Sequence, residues 1–150
     1  MAESNYRKYL VTEPVREVGA NMKIKGMTLP TYTYMSNALV PNCNIYLELS
    51  WIYEMPDPPL VVPASHAHPY DQITFLIGSD PHHPEYLGAE LESHLGGQKI
   101  TTSKTGCTFM PKNVEHGHLE WKKFDRPHMM MSIMLGTGEF YQANPGGYNK

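Results

Sequence analysis

His66-Ala67-His68-Pro69-Tyr70-Asp71-Gln72 sets two imidazoles two residues apart and an amide four residues beyond the second. On an extended chain alternate side chains share a face, so His66 and His68 can point at one spot, and Tyr70 and Gln72 share their parity. The run that follows, Gln72-Ile73-Thr74-Phe75-Leu76-Ile77-Gly78, is rich in β-formers and closed by glycine, as a central strand would be. Further along, Pro111-Lys112-Asn113-Val114-Glu115-His116 supplies a turn and a third imidazole that a barrel could fold back onto the same spot. Three neutral imidazoles and one more donor suit a single divalent zinc, iron, manganese, cobalt, nickel or copper ion.

Working outward, the two segments together make a two-part pattern. An HxH pair is followed after three residues by a further ligand, and downstream come Gly106, Pro111 and His116. In this the chain resembles a small single-domain cupin of the RmlC-like type, over about residues 45 to 135. His66, His68 and Gln72, with Gly78 closing the run, match the first cupin motif, and Gly106, Pro111 and His116 match the second. Gln72 stands where the family has a Glu, Asn113 where it has a turn glycine, and Leu60 where a glycine usually precedes the first His. Asn tolerates positive φ, so Asn113 can still make the turn. The resemblance implies an all-β, double-stranded β-helix (the cupin jelly-roll barrel) and a metal held by His66, His68 and His116 with Gln72. It also implies a homodimer.

Composition sets the remaining bounds. A chain of 150 residues suits one domain and can bury a core without disulfides. Its two cysteines, Cys43 and Cys107, lack CxxC spacing, which argues against a thiolate zinc site and for a reducing compartment. No stretch approaches the roughly 18 apolar residues of a membrane span, and MAESNYRKYL lacks the apolar run of a signal peptide. A soluble, cytoplasmic protein is expected, with no membrane partner. A net charge of −3 without a basic block excludes a typical nucleic-acid binder. Thirteen prolines, twelve glycines and ten tyrosines favour short strands and tight turns over long helices.

The chain divides into an N-terminal arm with edge strands (1–44), the barrel (45–135) and a C-terminal tail (136–150). In Asn44 to Glu54, alternation puts Ile45, Leu47, Leu49 and Trp51 on one face, expected to point inward. Leu87 to Leu95 and Gln98 to Ser103 flank Gly96-Gly97 as a hairpin. Leu119 to Phe124 and Met129 to Leu135 give the last strands.

Near the metal, His118 shares the parity of His116, so an extended chain turns both rings to one cavity; it is the first candidate for proton transfer. Tyr70 is the second. Asp71 is expected at the surface, Glu90, Glu92 and His94 on a solvated face, and His82, His83 and His128 as surface residues. Trp51 and Met129 to Met131 with Met134 fit core or pocket wall. Four neutral ligands would leave the ion its full charge and favour an anionic or chelating oxygen substrate. The activity expected is metal-dependent Lewis-acid chemistry on a small oxygenated molecule: isomerisation, elimination or dehydration, decarboxylation or cyclisation. Iron-dependent dioxygenation and non-catalytic small-molecule binding are the alternatives.

Overall fold

The computed structural model describes residues 6–16, 23–62 and 64–136. After a 3₁₀ turn at Tyr6–Tyr9, the described residues form eleven strands: β1 (Val15–Arg16), β2 (Lys25–Met27), β3 (Tyr32–Met35), β4 (Ile45–Asp57), β5 (Leu60–Val62), β6 (Asp71–Gly78), β7 (Tyr86–Leu95), β8 (Gln98–Lys104), β9 (Gly106–Met110), β10 (His116–Phe124) and β11 (His128–Leu135). No helix among the described residues is long and apolar enough to cross a membrane. The tail from 137 onward lies outside the described residues.

The strands form two antiparallel sheets. One runs β1-β3-β4-β11-β6-β9, with β2 also on β4, and the other runs β5-β10-β7-β8. From β4 to β11 every connection crosses between the sheets except the β7–β8 hairpin, whose Gly96 and Gly97 have φ +57° and +78° as a tight two-residue turn requires. This interleaved order is the double Greek key of a jelly roll, the cupin barrel expected from the sequence. Strands β1 to β3 from the N-terminal region extend the edge of the larger sheet beside β4.

The inner face of β4 corrects the expected one. Tyr46, Glu48, Ser50 and Ile52 are buried, whereas Ile45, Leu47 and Leu49 are half-buried and Trp51 is exposed. The larger sheet is apolar on its outer face as well as in its core, so hydrophobic alternation alone cannot say which side of β4 faces inward. On β11 the buried set is His128, Met130, Ser132 and Met134. Met27, Ile52, Val61, Val62, Leu87, Leu91, Trp121 and Met130 pack into the main core, and a smaller cluster holds Tyr46, Tyr70 and Met134.

His128 likewise departs from its expected surface position. It is fully buried, its Nε2 accepts the Trp121 indole N–H at 2.9 Å, and its Nδ1 lies 3.1 Å from the Arg126 carbonyl. Both ring nitrogens therefore have partners, as burial of a polar ring requires.

Candidate metal centre and cavity

The two motif segments are tied together by the backbone. His66 and His116 form an isolated antiparallel bridge, with N–H to carbonyl distances of 2.8 and 2.9 Å in the two directions. Asn113, at φ +61°, donates its N–H to the His68 carbonyl at 2.8 Å. The Lys112 N–H donates to Asp71 Oδ1 at 2.8 Å, so Asp71 anchors the turn as well as lying at its surface. These bonds bring the three rings together: centroids are 4.5 Å apart for His66 and His116, 4.7 Å for His68 and His116, and 6.2 Å for His66 and His68.

Each ring is oriented by a backbone carbonyl near Nδ1: Ala64 at 3.3 Å for His66, Tyr70 at 2.7 Å for His68 and Val114 at 2.9 Å for His116. A neutral imidazole that donates from Nδ1 keeps a lone pair on Nε2, the tautomer of a metal ligand with an outer hydrogen-bond partner. His116 Nε2 is buried and has no hydrogen-bond partner. Burial, opposed by the Val114 bond and reinforced by His66 and His68, lowers the His116 pKa to about 4. The His66 pKa is also lowered, first by burial. These rings therefore stay neutral near pH 7.

Gln72 completes the set. Its Oε1 lies 2.9 Å from His68 Nε2, and its Nε2 donates to Thr74 Oγ1 at 2.9 Å, which in turn lies 3.3 Å from Ser132 Oγ. With His68 donating from Nδ1, the carbonyl oxygen and Nε2 confront each other as two acceptors, which suits donors that share a cation. An orphaned Nε2 and three carbonyl-oriented imidazoles offer the donor chemistry of a divalent transition metal of the zinc or iron class, and binding one would draw together ligand atoms that do not all lie within 4.8 Å of one another.

A cavity of about 220 Å³ opens beside these groups, lined by His66, Gln72, His116, Glu48, Thr74 and Ser132 among others. Strand register explains its polarity. Glu48, Ser132, Thr74 and Thr108 lie in one row across β4, β11, β6 and β9, flanked by a row with Tyr46, Met134, Gln72 and Met110 and another with Ser50, Met130 and Leu76. A single polar stripe thus crosses a thioether-lined wall.

Glu48 is a cavity-lining carboxylate that sequence reasoning missed, because the expected parity of β4 turned it outward. It is 5% exposed and accepts a hydrogen bond from Thr31 Oγ1 at 3.2 Å. Its alternation with Tyr46 and Ser50 on a barrel strand was the available signal.

Of the two residues expected to move protons, Tyr70 lies against the imidazole cluster and His118 is turned away from it. Tyr70 is buried and stacked on His68 at 4.0 Å, and burial followed by the Glu48 charge raises its pKa. His118 does not share the cavity with His116, which corrects its expected position. Gly117 and His118 have φ +127° and +50°, and the bulge they form turns His118 to the outer face beside Glu92, Glu120 and His94.

No family model matches the chain, and no curated protein matches it. Solved structures do. An RmlC-like cupin from Shewanella frigidimarina is 13% identical over 74% of this chain and 77% of that one, with a TM-score of 0.48. KdgF from a Halomonas species is 14% identical over 75% and 82%, with a TM-score of 0.45. The DMSP lyase DddQ from Ruegeria pomeroyi is 19% identical over 65% of this chain and 41% of that one, with a TM-score of 0.42. The likeness is one of fold, and the fold rests on the strand order above.

Proposed function

We infer that the chain is a cupin metalloenzyme that holds one divalent ion in its barrel through Nε2 of His66, His68 and His116, with Gln72 Oε1, and acts on a small oxygenated organic molecule. The observation that carries the reading is the buried, unpartnered Nε2 of His116, in a ring oriented by a backbone carbonyl as those of His66 and His68 are. A divalent ion bound there supplies Lewis acidity toward a carbonyl, enolate or carboxylate oxygen. With four neutral donors its charge is undiminished, which favours a substrate with an anionic or chelating oxygen end.

The cavity, at about 220 Å³, is smaller than the roughly 300 to 1,000 Å³ of drug-sized ligand sites, so the substrate is compact. Met130 and Met134 would hold its apolar part, while Thr74 and Ser132 offer hydroxyls to its polar part. Glu48, a carboxylate lining the same cavity, is the group we assign to take or return the proton. Isomerisation, elimination, decarboxylation and cyclisation all need that pairing.

The test is turnover of a panel of small hydroxy acids, keto acids and enolisable ketones by metal-loaded protein. Glu48→Gln should lower the rate on any accepted substrate by about 10² or more with metal content unchanged. Full activity in that variant would remove Glu48 from the chemistry. Metal loading without turnover of any panel member would favour a binding role, and oxygen consumption with iron alone would favour dioxygenation.

A further inference from the structure

A second group of ligand-type side chains lies on the smaller sheet, next to the cavity, whose lining includes His94. Along β7, Glu92 and His94 share the parity opposite to Leu91; Glu92 is buried, which corrects its expected solvated position, and His94 is half-buried. The β10 bulge delivers His118 to the same place, where its ring stacks on His94 with centroids 4.4 Å apart and planes at 22°. Glu92 Oε1 lies 3.4 Å from His94 Nε2 and 3.6 Å from His118 Nε2. All three ligand atoms fall within 4.8 Å of one another, which no other His, Cys, Asp and Glu set among the described residues achieves. His94 Nε2 is shielded from solvent and makes no well-directed hydrogen bond, despite its approach to Glu92.

We propose that Glu92, His94 and His118 form a second divalent-metal site, sharing no residue with the His66, His68 and His116 set, for an ion of the zinc class. Two imidazole nitrogens and one carboxylate oxygen suit zinc, cobalt, nickel or ferrous iron, whereas magnesium and calcium prefer all-oxygen shells. The surrounding charges leave the right oxygen available. Lys99 and Lys122 approach Glu92 through Oε2, at 2.5 and 3.8 Å, while both imidazoles approach through Oε1. Glu120 takes Lys122 at 2.6 Å, so two carboxylates balance two ammonium groups and no net positive charge opposes an incoming cation. Lys99 is the competitor for Glu92, but its side chain is 62% exposed and can swing into water. The fold supplies the geometry: without the positive-φ pair at Gly117 and His118, strand alternation would keep His118 on the cavity side.

The experiment is zinc titration by calorimetry of full-length, metal-stripped protein at pH 7.5, with cobalt absorption as a second readout of coordination. Wild type, His94→Ala, Lys99→Met, His66→Ala and the His66→Ala/His94→Ala double variant are compared. His94→Ala should bind one equivalent fewer than wild type, and His66→Ala should keep an equivalent that the double variant loses. Lys99→Met should tighten the outer site about tenfold, an effect that damaged folding cannot mimic. Equal stoichiometry in wild type and His94→Ala, with unchanged affinity in Lys99→Met, would overturn the proposal. Because the outer site is scored in the His66→Ala background, its failure is distinguishable from failure of the cavity site.

Discussion

In the proposed metal site, Gln72 would set how firmly an ion is held. With Oε1 toward His68 it offers a neutral donor held by Thr74; turned over, its amide would donate to His68 Nε2 and compete with a metal for that lone pair. A carboxylate has no such competing state and adds a charge. Gln72→Glu is therefore expected to raise cavity metal affinity at least about tenfold, or about 1.4 kcal/mol, in a chelator-competition assay. It should at the same time weaken binding of anionic ligands; equal metal affinity in the two proteins would mean that residue 72 is not a ligand. At this scale the sequence was informative wherever spacing carried the chemistry. The motif singled out His66, His68, Gln72 and His116, and the structure brings these side chains near one another. The burial of Glu48 and His128 was not foreseen: the β4 alternation was assigned the opposite sign, and no motif accompanies His128. Their burial follows from β4 and β11 pairing across the sheet, where His128 lies opposite Ile52 and Glu48 opposite Ser132.

Among the elements, the β10 bulge decides what the site contains. A Cβ on Gly117 would lie 2.6 Å from the Ala64 carbonyl and 3.2 Å from His66 Nδ1, at a φ of +127° that other residues rarely adopt. Gly117→Ala must push the His66 segment off β10. It should cost about 2 kcal/mol or more by urea unfolding and weaken cavity metal binding together with stability. A variant with wild-type stability and metal affinity would show that the bulge does not position His66. The bulge also accounts for the failed reading of His118. Parity arguments assume an uninterrupted strand, and one irregular pair of residues reverses every inference drawn across it. The β7–β8 hairpin was legible for the opposite reason: Gly96-Gly97 is a turn signal complete within its own two residues.

For the whole molecule, the interleaved strand order leaves several imidazoles inside the barrel, and they link stability to pH. His116, lowered to about 4, and His128, lowered by burial, resist protonation in the folded state. The unfolded chain binds those protons near pH 6.5. Stability is thus fully present above about pH 6.5 and is lost as pH falls toward the folded values. The metal-free protein should have a lower urea midpoint at pH 5.0 than at pH 7.5; an equal or higher midpoint at pH 5.0 would contradict the buried, neutral state of these rings. The jelly roll as a class was legible from many short strands and the two motif segments. The side of each strand that faces the cavity was not, because a sheet apolar on both faces gives alternation no preferred sign. The most direct test of the central claim, that His66, His68 and His116 hold an ion in the barrel, is elemental analysis of protein purified without chelator. The account predicts that His66→Ala and His116→Ala each carry one equivalent of transition metal fewer than wild type. Metal content unchanged in both variants, or no metal in wild type even after reconstitution with zinc and iron, would contradict it.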